Sequence, residues 1–116
     1  MKRIAVGFLS LAMSAASLAA DVAPATYRLD LFHTGGKGTE IFAVDRLRLE
    51  PLPWPGHPSR ATDDGQSGVY RFEVRDVASG AVLHSRGFAS IYGEWETTSE
   101  VKTVHRTFHE SVRFPW

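Results

Sequence analysis

Val69-Tyr70-Arg71-Phe72-Glu73-Val74-Arg75-Asp76 decides the fold class of this chain. Tyr70, Phe72 and Val74 alternate with Arg71, Glu73 and Arg75, a period of two that puts one face on a core and the other in water. Working outward, Tyr27 to His33 repeats the pattern, with Tyr27, Leu29 and Leu31 set against Arg28 and Asp30. Gly35-Gly36-Lys37-Gly38 supplies residues that tolerate positive φ, and a second β-leaning run follows from Glu40 to Leu49, so the two runs read as a hairpin. Asp76 to Gly80 reads as a turn into Ala81 to His84, and the chain continues through Arg86-Gly87-Phe88 toward Ile91 and Tyr92 as a second hairpin. Phe108, Val112 and Phe114 resume strand spacing near the end.

Between the hairpins, Pro51, Pro53, Pro55 and Pro58 are hostile to helix and to central strand, since proline has no amide to donate. The stretch from Ser59 to Gly68 extends this loop with turn-forming residues. Thr97-Thr98-Ser99-Glu100 fits a capping box, in which the Thr97 hydroxyl takes the Glu100 amide and Glu100 reaches back to the Thr97 amide. A helical turn near 97–103 is expected from it. The expectation for the whole is an all-β fold, mainly an antiparallel β-sandwich with that one short helix or helical turn.

The first twenty residues read differently. Lys2 and Arg3 precede an apolar run from Ile4 to Met13 and a small-residue stretch from Ser14 to Ala20, the pattern of a cleaved signal peptide over 1–20. The apolar run is about half the roughly 20 residues a membrane span needs, so no stable span is expected after cleavage. Residues 21–116 suffice for one domain, and the location expected is exported, periplasmic or secreted, in a bacterium. Losing Lys2 and Arg3 takes the balance of 13 basic and 13 acidic side chains to about minus two, so nucleic acid is not an expected partner. The chain has no cysteine, which excludes disulfides, thiolate metal sites and a cysteine nucleophile.

Motifs that carry chemistry are weak. His109-Glu110-Ser111-Val112-Arg113 approaches the H-E-x-x-H of zinc peptidases, but Arg113 stands where the second histidine belongs. Strand spacing would also hold the two positions more than about 12 Å apart. His105 and His109 suffer the same separation, and His33, His57 and His84 are scattered. Lys37 in Thr34 to Thr39 lacks the Ser or Thr that directly follows the lysine of a phosphate loop. Glu94, Glu96 and Glu100 around Trp95 belong with ordinary solvated turns, and Trp54 and Trp95 read as lids over the core. No catalytic, cofactor-binding or metal residue is assigned, and no cofactor is expected.

A longer pattern is more specific. Ser85-Arg86-Gly87-Phe88-Ala89-Ser90-Ile91-Tyr92-Gly93-Glu94-Trp95-Glu96-Thr97-Thr98, then Arg106-Thr107-Phe108-His109-Glu110-Ser111-Val112-Arg113-Phe114-Pro115, resembles the N-terminal domain of the IgA peptidase family, the sixty-fourth of the metallopeptidases. Leu29-Asp30, His33-Thr34-Gly35, Asp45-Arg46 and Gly68 to Val74 resemble its earlier strands. The resemblance implies a β-sandwich accessory domain preceding a zinc peptidase domain, whose family pattern continues beyond Phe114-Pro115. It carries no catalytic or zinc residue onto this chain. The partner it implies is a peptidase catalytic domain, in the same polypeptide or supplied separately. The reading weighed against it is a free-standing exported module that binds glycan or host protein through Trp54, Trp95 or the proline loop.

Overall fold

The computed structural model describes residues 22 to 63, 65 and 67 to 116. The signal-peptide expectation therefore lies outside the described residues. The elements are β1 (Ala25–Gly36), β2 (Thr39–Pro53), a 3-10 turn (Pro58–Arg60), β3 (Tyr70–Arg75), β4 (Val82–Phe88), α1 (Ile91–Trp95), a second 3-10 turn (Ser99–Lys102) and β5 (Arg106–Pro115). They form two antiparallel sheets, one of order β2-β1-β5 and the other the β3-β4 hairpin, so the all-β expectation holds.

Register assigns the faces of the larger sheet. Central β1 sets Tyr27, Leu29, Leu31 and His33 opposite Leu49, Leu47, Val44 and Phe42 of β2, and opposite Phe114, Val112, Glu110 and Phe108 of β5. Residues directly opposite one another share a face, so these twelve side chains form the inner surface. The second sheet lies on it through Tyr70, which meets Phe42 and His33 with ring centroids 5.9 and 5.2 Å apart. A bulge at Asp45 keeps Val44 and Leu47, three residues apart, on one face; regular alternation through Asp45 would turn Leu47 and Leu49 to the other.

The structure corrects three local expectations. Pro51 and Pro53 lie inside β2 rather than in a loop, which an edge strand permits because its outer side needs no donor. The capping box does not form: Thr98 is the N-cap of the second 3-10 turn and makes no side-chain bond there. Thr97 instead donates its hydroxyl to Glu94 O, and Glu100 accepts from the Trp95 indole at 2.7 Å and from Arg106 at 2.7 Å. A buried indole N–H and a guanidinium compete better for that carboxylate than a solvated amide does. The segment expected to continue toward Tyr92 as extended chain is α1, whose N-cap Ser90 accepts the Gly93 amide at 2.8 Å. Its two inward residues, Tyr92 and Trp95, sit three apart and pack on each other and on Phe108.

Candidate functional site

On the inner surface, toward its β1–β2 turn end, is His33, which is fully buried. Its ring lies between Phe42 and Tyr92, with centroids 4.0 Å away on each side and interplanar angles of 25° and 24°. Nδ1 lies 3.0 Å from Glu110 Oε2, and Nε2 lies 2.8 Å from Glu40 Oε1. A carboxyl group thus faces each ring nitrogen at hydrogen-bond distance. The Tyr70 hydroxyl donates to the same Glu40 oxygen at 2.7 Å, and the Tyr92 amide donates to Glu110 Oε1 at 3.4 Å. The Tyr70 bond holds the Glu40 carboxyl below its ordinary range, against the opposing effect of burial. Burial, then Glu40, pushes the Tyr70 phenol up.

This array ties all three strands of the larger sheet together, Glu40 from β2, His33 from β1 and Glu110 from β5, under a lid made by Tyr70 and Tyr92. A histidine beside a carboxylate is a general-base arrangement in form, but the ring is sealed on both faces by aromatics and does not meet solvent. Its chemistry is that of a buried ionic fastener.

The opposite face separates the pair that most resembled a zinc motif. Glu110 points inward to His33, while His109 points outward to Asp45 with Nε2 3.1 Å from Oδ2. Adjacent strand residues take opposite faces, so His109 and Glu110 cannot serve one ion. Arg113 and Arg28 bind Glu50 on the outer face, at 3.3 and 2.9 Å. Sequence reasoning missed that Asp30, Asp45 and His109 bring ligand atoms within 4.8 Å of one another. The charge that a cation would supply there is already present: Arg28 binds both oxygens of Asp30, at 2.8 and 3.2 Å, and the Ser111 hydroxyl donates at 2.7 Å. These bonds, the Arg28 bond foremost, hold the Asp30 carboxyl down at about 2.

The remaining candidates scatter. His57 caps the first 3-10 turn by accepting the Ser59 amide at 3.2 Å. Lys37 sits in the β1–β2 turn, where Gly38 takes φ 76°, a hairpin turn as its context indicated. His84 is buried beneath Trp54, centroids 5.3 Å apart, and neither ring nitrogen has a hydrogen-bond partner among the described residues. Burial, then Arg86, lowers its pKa. Trp95 is buried against Phe108, and Trp54 is half-buried, as lids would be.

One surface was not foreseen. Val44, Leu47 and Leu49 belong to the inner face, yet they are 67%, 55% and 62% exposed. Beside them, Leu31, Phe42, Tyr70, Phe72, Phe88 and Val112 line an apolar cleft of about 230 Å³ between the sheets. The core is closed over β1 and β5 and open over β2. The signal was present in the Glu40 to Leu49 run, but nothing in a single strand says whether a second layer covers it.

These features define a class: a two-sheet antiparallel β domain, pinned by a buried histidine between two glutamates. A family model described as the peptidase M64 N-terminus matches residues 20–116, and the chain belongs to that family. No curated protein matches the chain.

Proposed function

We propose that this chain is the non-catalytic N-terminal accessory domain of an exported zinc peptidase of the IgA-peptidase type, and that it packs against or orients a catalytic domain. The observation that carries the reading is the family match, which spans the whole described domain and is to the N-terminal part of a peptidase. The site geometry supports it, since the buried His33 array is out of reach of a substrate and His109 and Glu110 face opposite ways. The apolar leader over 1–20 supports export. No helix among the described residues is long and apolar enough to cross a membrane. Burial of Trp95 leaves it unavailable as a stacking platform, which favours this reading over a glycan-binding module.

The test titrates the purified chain against a purified M64 catalytic domain by calorimetry, with peptide cleavage followed in parallel. Saturable binding with no zinc-dependent cleavage by the chain alone is the expected result. Absence of binding, whether the domains are tethered or separate, would overturn the accessory role.

A further inference from the structure

We infer that the bare inner face of β2, with the cleft beside it, is an acceptor groove for one extended, alternately apolar strand contributed by the peptidase domain. This inference rests on the accessory-domain reading and names the surface it would use.

Three observations select that occupant. First, the uncovered residues lie on a face. Phe42, Val44, Leu47 and Leu49 point to the side on which β3 and β4 lie, so whatever covers them must sit in the second layer. A neighbour hydrogen-bonded to the edge of β2 would extend the sheet and leave that face bare.

Second, the second layer has an open position there. β3 stands toward β2, with Tyr70 on Phe42, while β4 leads into α1 against β5. The far side of β4 is already flanked, because the Ser85 amide donates to Ala61 O at 3.0 Å and the Gly87 amide to Asp63 Oδ2 at 3.2 Å. Among the described residues β3 pairs only with β4, so its other edge presents unpaired backbone groups. A strand added at that edge gains main-chain hydrogen bonds and lays every second side chain on Val44, Leu47 and Leu49.

Third, the area argues for a tethered segment rather than a second copy. A Val or Leu side chain hides roughly 60–120 Å² on full burial, taking the usual energy per side chain and per unit area, and a Phe roughly 150 Å² or more. Four such residues about half to two-thirds exposed therefore offer a few hundred Å². A stable complex of separate proteins needs about 800 Å² on each side. A segment held on the same polypeptide meets its groove at an effective concentration near millimolar, for which the smaller patch suffices.

The experiment compares the wild-type chain with Leu47→Asp and Val44→Asp, and with Arg48→Asp on the opposite face as control, each titrated with a purified M64 catalytic domain. All three positions are exposed, and far-ultraviolet circular dichroism checks that each variant keeps its sheets. The groove predicts at least a tenfold weaker association for the two inner-face variants and less than a threefold change for Arg48→Asp. It also predicts slowed hydrogen exchange of the amides in 70–75 and 42–49 on complex formation. Wild-type binding that the inner-face variants leave unchanged would overturn the groove while leaving the accessory role standing. Wild type that does not associate at catalytic-domain concentrations up to about 1 mM, the effective concentration of a tethered segment, would overturn both. A concentration-dependent dimer in sedimentation, abolished by Leu47→Asp, would overturn the peptidase strand as occupant and put a second copy in its place.

Discussion

Replacing His33 by leucine tests whether the buried array is ionic. Leucine keeps an apolar body between Phe42 and Tyr92, so the packing loss is small, but it removes the partner of Glu110, whose side chain is only 10% exposed. A buried charge deprived of its partner costs about 3–5 kcal/mol. Glu40, 39% exposed and still bonded to Tyr70, turns to water and adds little. The expected loss is therefore about 3 kcal/mol, a large share of the roughly 5–15 kcal/mol that holds a domain. Urea unfolding followed by tryptophan fluorescence should show it as a fall in midpoint of roughly 1–3 M. Adding Glu110→Leu removes the stranded carboxylate, so the double variant should be more stable than His33→Leu alone, with a coupling energy above about 1 kcal/mol. A His33→Leu protein within about 0.5 kcal/mol of wild type, or additive effects in the double variant, would refute the ionic reading.

Three further outcomes follow from the same contacts. Asp30, held at about 2 against an ordinary 3.8, is a depressed carboxyl, so its contribution is fully present above pH 4 and is lost as pH falls toward 2; Asp30→Asn should flatten that part of an acid-unfolding curve. His84 is a depressed histidine, whose contribution is present above its ordinary 6.5 and is lost as pH falls below it; the stability of His84→Leu measured between pH 7 and 5 should decline less than that of wild type, at a cost near pH 7 under about 1 kcal/mol. Ser90→Ala removes the acceptor for the Gly93 amide and should cost about 1 kcal/mol in thermal unfolding, with Tyr92 and Trp95 loosened over Phe108.

The strands were legible because their signal is local. Tyr70 to Arg75 and Tyr27 to His33 each carry their own alternation, and the Lys37-Gly38 and Asp76 to Gly80 turns carry their own chemistry. The helix was not. Ile91 is β-branched and Gly93 is a poor helix former, so α1 owes its existence to the Ser90 cap and to Tyr92 and Trp95 finding Phe108, a residue of β5. The strand through Pro51 and Pro53 was missed because proline excludes only central strands, and edge position is a property of the assembled sheet. His33 gave no warning of its role because its two carboxylates are 7 and 77 residues away. Strand spacing and Arg113 were enough to part His109-Glu110 from the zinc motif they resemble, and the structure adds that the two side chains take opposite faces.

A 15-residue edge strand rich in exposed apolar residues is a template for unwanted pairing, and proteins blunt such edges with proline, charge and bulges. This one carries all three: Pro51 and Pro53 remove donors, Arg46 and Arg48 place like charges side by side on the outer face, and the bulge at Asp45 interrupts a regular ladder. The inner face of the same strand carries no such protection. Val44, Leu47 and Leu49 remain apolar and exposed where a single charged residue would have cost nothing in core packing. An edge that is guarded beside a face that is left open fits a surface that excludes its own kind and admits a partner from above. That asymmetry is why the groove, rather than the edge, is the place to look for the peptidase domain.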